Sequence, residues 1–221
     1  MTDGAPLSPD GNTTLEPRSP GRPRRFDDDS ERRMVLDAAL EVLARNGYVD
    51  AGVNDVLTAS GVSTRALYRH FPTKDDLMVA LYVRDGEVSA QLLRRAVDAA
   101  PDPSAAVVAW IDAFLDVFYA PKKVARVALF NSPGIRSAVG YAEAESRIYE
   151  LLTAPLVEAL ETGHQVGALH SPAPDRDAGS IYGLLASVSE YLGGHRLEDR
   201  ATARAQVLRF CGPALRLDHL T

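Results

Sequence analysis

The chain has 221 residues, 46% hydrophobic and 24% charged, with a formal net charge of −6; that supplies a packed core and excludes disorder as the overall state. A lone cysteine, Cys211, excludes an intramolecular disulfide and a cysteine-cluster zinc site. With no apolar signal region in the first thirty residues and no run of eighteen uncharged apolar residues, the expected setting is cytoplasmic.

Residues 1–30 are rich in Pro, Gly, Ser, Asp and Arg, with little to bury, and read as a disordered arm. From Met34 the character changes. Val35, Ala38, Ala39, Val42 and Leu43 fall at helical spacing, and the pattern stops at Asn46-Gly47, which predicts a first helix over about 31–46. A short apolar segment, Val53 to Ala59, ends at Ser60-Gly61 and is followed by Ser63 to Phe71. Two short helices joined by a tight turn fit this stretch: Gly61 takes the positive φ, Val62 and Leu67 plug the gap beneath, and Ser63 caps the second helix. Pro72 ends that helix. Thr73 caps a longer one with Asp75 and Asp76 in its first turn and Leu77, Leu81, Val88 and Leu92 along one face.

Past Pro101-Asp102-Pro103, the residues Val107, Ile111, Phe114, Leu115 and Phe118 predict an amphipathic helix. Weaker helical patterns follow over about 122–131 and 135–163, the latter kinked at Pro155. Two final helices, 175–193 and 199–216, carry Ile181, Leu184, Leu185, Val188 and Leu192, then Ala203, Val207, Cys211 and Leu215, with Gly193-Gly194 between them. With no alternating strand pattern, the class is all-α: an N-terminal helix-turn-helix three-helix head over 31–76 and a C-terminal helical ligand-binding and dimerisation domain over 77–221.

Two short helices at a glycine turn, flanked by longer ones, describe a helix-turn-helix, whose second helix enters the major groove with its N-terminal residues at the base edges. That helix opens with Ser63-Thr64-Arg65 and carries Tyr68, Arg69 and His70, with Lys74 just beyond. Between Val56 and Lys74 there are three basic residues and no acid, so the acidic total conceals a locally positive face.

The stretch Arg32 to Leu81, above all Ala59-Ser60-Gly61-Val62-Ser63 followed by Leu67-Tyr68-Arg69-His70-Phe71-Pro72-Thr73-Lys74-Asp75-Asp76-Leu77, resembles the DNA-binding head of the tetracycline-repressor (TetR) family of bacterial transcription regulators. The resemblance implies a homodimer and a divergent helical effector domain, with repression of an operator that a small molecule relieves. It implies that Thr64 and Arg65 read bases, with Arg65 suited to bidentate contact with guanine. It places Tyr68, His70 and Lys74 on phosphates and gives Asn54 and Ser63 further contacts. Arg65 stands where the family often has Gly, implying an altered operator preference, and Leu57 where a small residue usually lets the short helices approach.

Arg18, Arg22, Arg24 and Arg25 place four arginines and no acid between residues 17 and 26, a basic arm able to reach an adjacent minor groove. Asp27-Asp28-Asp29 follows at once, acids that would repel phosphate unless turned away. Trp110, Phe114, Phe118, Phe130, Tyr149 and Tyr182 are the aromatic stock for an effector pocket, though their spacing selects no ligand, and each taken singly fits plain core packing as well. The last two helices are the expected dimer surface, a two-helix face doubled into a four-helix bundle. Cys211 reads as a small buried hydrophobe. His164 and His170, near Glu158, Glu161 and Asp175, match no catalytic or metal spacing, so neither an enzyme nor a cofactor is expected. The competing reading is a helical small-molecule-binding protein without DNA binding, favoured by Leu57 and the net acidity.

Overall fold

The computed structural model describes residues 27–50, 53–120, 129–130, 132–189, 191–192, 195–196 and 199–217. The arginines of the arm and most of the 122–131 segment lie outside these. In chain order the elements are α1 (Asp28–Asp50), α2 (Val53–Ser60), α3 (Thr64–His70), α4 (Lys74–Asp98), α5 (Pro103–Tyr119), α6 (Pro133–Arg136), α7 (Tyr141–Gln165), α8 (Pro174–Val188), β1 (Tyr191–Leu192), β2 (His195–Arg196) and α9 (Arg200–Leu215). Among the described residues the regular structure is helical apart from a two-residue antiparallel ladder that pairs Tyr191 with Arg196 and Leu192 with His195, where the sequence pattern places the end of a helix.

Local chemistry accounts for most of the helix starts. The Asp27 carboxylate accepts hydrogen bonds from the Ser30 N–H and hydroxyl at 2.8 and 2.9 Å, which closes the open end of α1 and holds that carboxyl below its ordinary pKa. Ser63 accepts from Ala66 N–H to start α3. Thr73 and Asp76 form a reciprocal capping box for α4, and Asp102 caps α5 ahead of Pro103. The expected stop of the first helix at Asn46-Gly47 is overrun, since the helical backbone of α1 continues to Asp50; a glycine inside a helix costs only about 1 kcal/mol, which continued hydrogen bonding can offset. The pattern over 135–163 divides in two, because Gly140 adopts φ +85° between α6 and α7. The helix of α7 then runs through the buried Pro155.

Two apolar cores result. In the head, Val35, Leu36, Ala39 and Leu43 of α1 pack with Val56, Leu67, Phe71, Leu77, Met78 and Leu81, and with Leu129, Phe130, Ile135 and Tyr141 from farther along the chain. The body gathers Leu93, Trp110, Ile111, Phe114 and Leu115 against Leu156, Leu160, Ile181, Leu185, Val207 and Leu208. Each fully buried large side chain contributes roughly 1.5–3 kcal/mol. The helix α7 contributes to both, with Tyr141 in the head and Leu156 and Leu160 in the body, and so does α4: Leu77, Met78 and Leu81 serve the head, and Leu93 the body. Its buried face does not follow Val88 and Leu92 as expected. Gly86, Ser89, Ala90 and Leu93 are buried, whereas Val88 is 47% exposed and Leu92 half-buried, because α7 packs along the small-residue side. Arg94 to Glu158 and Arg147 to Glu87 fasten that α4–α7 contact at its edges.

Candidate nucleic-acid interface and ligand cavity

Gly61 has φ +65°, the left-handed conformation the turn between α2 and α3 requires, and its N–H donates to Leu57 O at 3.0 Å. Leu57 is half-buried against the head core. From this turn α3 presents two faces. Ala66 and Leu67 point inward, while Thr64, Arg65, Tyr68 and Arg69, at spacings that share one side of a helix, point outward. Tyr68 is 48% exposed, an unusual placement for a large aromatic ring, and Asn54 and Ser63 are exposed beside it. Among the described residues no carboxylate pairs with Arg65. Lys74 is half-buried at the start of α4.

Two of the basic side chains expected on DNA are engaged within the protein. The Arg69 guanidinium donates to Asp28 Oδ1 at 2.8 Å and also to the Glu31 carboxylate, and His70 Nε2 lies 3.5 Å from the same Glu31 oxygen with its side chain largely buried. Both therefore tie α3 to the first turn of α1. Asp28, Glu31 and His70 bring ligand atoms within 4.8 Å of one another, and the Arg69 guanidinium already serves both carboxylates there. The same arrangement explains the acids after the arginine arm: Asp27 caps a helix and Asp28 neutralises Arg69. Arg32 lies over the Phe71 ring, 5.4 Å from its centroid, and adds a third α1 contact.

Between the two cores lies a cavity of about 140 Å³. Tyr82, Asp85, Gly86, Ser89 and Leu93 line it from α4, Phe114, Val117 and Phe118 from α5, Tyr141, Glu145, Ile148 and Leu152 from α7, Tyr182 from α8, and Phe130 from the preceding segment. Phe130 and Tyr141 belong to the head core, Leu93 and Phe114 to the body core, so the cavity occupies the seam where they meet. Of the aromatic stock, Phe114, Phe118, Phe130 and Tyr182 line it. Trp110 and Tyr149 do not: Trp110 is fully buried behind, stacked on Phe114 at 5.3 Å with its Nε1–H donating to Leu152 O, and Tyr149 packs edge-on against Tyr182 at 5.0 Å. The phenols stay protonated. Burial raises the pKa of Tyr82 and Tyr141, and it pushes Tyr182 up to about 12. Sequence reasoning missed Tyr82, Asp85, Tyr141 and Glu145. The one available signal was the pair of small residues Gly86 and Ser89 interrupting an apolar face of α4.

His164 and His170 stack edge to face at 5.8 Å, with His164 Nδ1 accepting from Ser171 N–H, while Glu158 pairs with Arg94 of α4. A second hollow runs between α8 and α9, lined by the apolar Ile181, Leu184, Phe210, Cys211, Ala214 and Leu215 together with Asp177 and Ser180, with Phe210 57% exposed. No helix among the described residues is long and apolar enough to cross a membrane.

A sequence model of bacterial regulatory proteins, tetR family, matches residues 35–81. The HTH-type transcriptional activator FasR of Mycolicibacterium smegmatis is 33% identical over 95 residues, 43% of this chain and 43% of that protein, so the match spans less than half the relative's length. Among solved structures, a TetR transcription regulator from Haloarcula marismortui superposes with a TM-score of 0.70 at 19% identity, covering 85% of this chain and 99% of the other. The FadR transcriptional regulator of Bacillus subtilis, solved in complex with stearoyl-CoA, gives 0.66 at 18% identity, covering 80% and 96%. At these identities the superpositions establish a shared fold.

Proposed function

We propose that this chain, whose residues 35–81 match the model of bacterial regulatory proteins of the tetR family, is a ligand-responsive DNA-binding transcriptional regulator, a repressor released from its operator by a small molecule. The observation that carries the reading is the outward face of α3: Thr64, Arg65 and Tyr68 exposed, Ala66 and Leu67 buried, the whole fixed by Gly61 and capped by Ser63. In this reading Arg65 and Thr64 meet base edges, and Asn54, Ser63, Tyr68 and Lys74 meet phosphates. Arg69 and His70 act as positioning residues that hold α3 against α1, and Arg22, Arg24 and Arg25 follow the adjacent minor groove.

Residues 31–76 are the DNA-binding unit and 77–221 the effector and dimerisation unit, with α4 running from one into the other. The exposed Phe210 and the largely apolar hollow between α8 and α9 support a homodimer through those helices, which in this reading sets two α3 helices about 34–36 Å apart on successive major grooves. An effector in the seam cavity touches both cores through α4 and α7. It therefore favours one relative setting of head and body, and lowers operator affinity by its preference for that setting. The protein is cytoplasmic and non-enzymatic in this account, in keeping with the regulatory role given to its relatives.

A gel-shift titration with the intergenic DNA upstream of its own gene, run at two salt concentrations, tests the reading. The expected outcome is a specific complex that weakens steeply with salt. Binding no tighter than to random duplex of the same length overturns it in favour of a helical ligand-binding protein.

A further inference from the structure

We propose that Asp75 is a positioning residue for operator binding: its carboxylate, holding the Val139 N–H, straps the first turn of α4 to the turn that leads into the cavity wall at Tyr141. The inference rests on the regulator reading above and deepens it by naming the residue through which the body sets the head.

The bond itself is the first support. Asp75 Oδ2 accepts from Val139 N–H at 3.0 Å, across 64 residues of chain. Asp75 has no part in starting its own helix, because Thr73 and Asp76 form the capping box between themselves. The shape of the turn is the second support. Ala138 N–H donates to Ile135 O, Tyr141 N–H donates to Ala138 O, and Gly140 takes φ +85°. Ile135 and Ala138 are buried in the head core, whereas Val139 is 81% exposed and meets α4 through its N–H. Location is the third support. Lys74, set on phosphate in the regulator reading, immediately precedes Asp75. Tyr141, two residues past Val139, packs in the head core, lines the seam cavity and donates its hydroxyl to Glu145 Oε1 at 3.1 Å. A shift of Tyr141 therefore reaches the start of α4 through two residues of backbone and one hydrogen bond. Arg84 pairs with Asp37 at 2.7 Å, but that tie joins α4 to α1 and does not reach the cavity-wall turn.

Charge supplies the discriminating comparison. An acid next to a phosphate-contacting lysine repels DNA, so an Asp75 with no positioning role would only weaken operator binding. Asparagine and alanine remove that charge equally, and asparagine alone keeps an oxygen able to accept from Val139 N–H. The test measures both variants of the full-length protein by fluorescence anisotropy on the intergenic operator fragment and a scrambled duplex. Asp75→Asn is expected to bind the operator at least as tightly as wild type, and Asp75→Ala about fivefold more weakly than Asp75→Asn, the loss that one hydrogen bond brings. Equal operator affinities of the two variants overturn the proposal, whatever their urea midpoints. Hydrogen exchange of the DNA-free protein, followed in peptides over 73–81 and 134–145, is the second readout. Asp75→Ala should exchange faster than wild type in both peptides and Asp75→Asn in neither; an alanine variant that exchanges faster in 134–145 alone, or in neither, also overturns the proposal. Should Asp75→Ala fail to fold by far-UV dichroism, Asp75→Ser, whose hydroxyl lies one bond short of the carboxylate oxygen, takes its place. A wild type that prefers the operator no more than the scrambled duplex counts against the regulator reading alone, and the exchange comparison then decides the strap. A clear wild-type preference with equal variants counts against this inference alone.

Discussion

Replacing Gly86 by alanine probes the α4–α7 contact that forms one wall of the cavity. A Cβ built at Gly86 falls 2.5 Å from Ile148 Cγ2 and 2.8 and 2.9 Å from two further carbons of that side chain, against about 3.5–4.0 Å for a comfortable carbon contact. Ile148 is β-branched and held at χ1 on a helix, so it cannot swing clear without moving one of its branches into the same space. Overpacking of this kind costs about 1–3 kcal/mol. Alanine in place of a mid-helix glycine contributes about 0.8–1.0 kcal/mol in the other direction. The net for Gly86→Ala is a loss of roughly 0–2 kcal/mol. In an Ile148→Ala background the clash has no partner, so the same substitution should stabilise by about 1 kcal/mol, giving a coupling of about 1–3 kcal/mol between the two sites. Urea unfolding of the four proteins of this cycle, at one fixed protein concentration because subunit association adds to apparent stability, measures it. A Gly86→Ala effect of the same sign and size in both backgrounds refutes the packing argument.

Lys74, which the regulator reading sets on phosphate, and Arg69, paired with Asp28 and Glu31, should separate in salt titrations. Lys74→Ala is expected to weaken binding to all DNA sequences and to flatten the salt slope by about one unit; Arg69→Ala should leave the slope nearly unchanged and lower stability by about 1 kcal/mol or less, and equal slope changes in the two variants would contradict this. Burial pushes the Cys211 thiol from its ordinary 9.0 up to about 11. The unfolded thiol ionises first, so this group's contribution to stability is complete below pH 9 and is lost as pH rises toward 11, which denaturation of wild type beside Cys211→Ala will show as a gap that changes only in that window. At neutral pH the folded protein should react slowly with a disulfide reagent and rapidly in urea.

The parts of this architecture written in neighbouring residues were legible in the sequence. Gly61 announces the turn, Ser63 the start of α3, and Thr73 with Asp76 the start of α4, because each acts within four residues of itself. Residues acting at a distance were less legible. Arg69 and His70 read as DNA contacts in their own segment, yet their partner Glu31 lies on α1, 38 residues before Arg69, and nothing local advertises that pairing. The cavity has the same character. Helical spacing shows that Trp110 and Phe114 face inward, and only the packing of α5 against α7 and α8 decides that Phe114 borders the open volume while Trp110 backs it. Val88 misled for a related reason: it continues an apolar stripe, but α7 packs against the Gly86–Ser89 side and leaves the valine outside. Gly140 carries a break that the pattern over 135–163 conceals, since a left-handed glycine interrupts a helix without disturbing the apolar spacing on either side.

The central claim is that α3 reads bases through Arg65, and its most direct measurement is the ratio of affinities for the intergenic operator fragment and a scrambled duplex, taken by fluorescence anisotropy for wild type and Arg65→Ala. The expected result is a loss of about 5- to 150-fold on the operator with only the small change on scrambled DNA that removing one charge brings, so that the ratio collapses toward unity. Losses of the same size on both duplexes, leaving the ratio where it was, would contradict the claim.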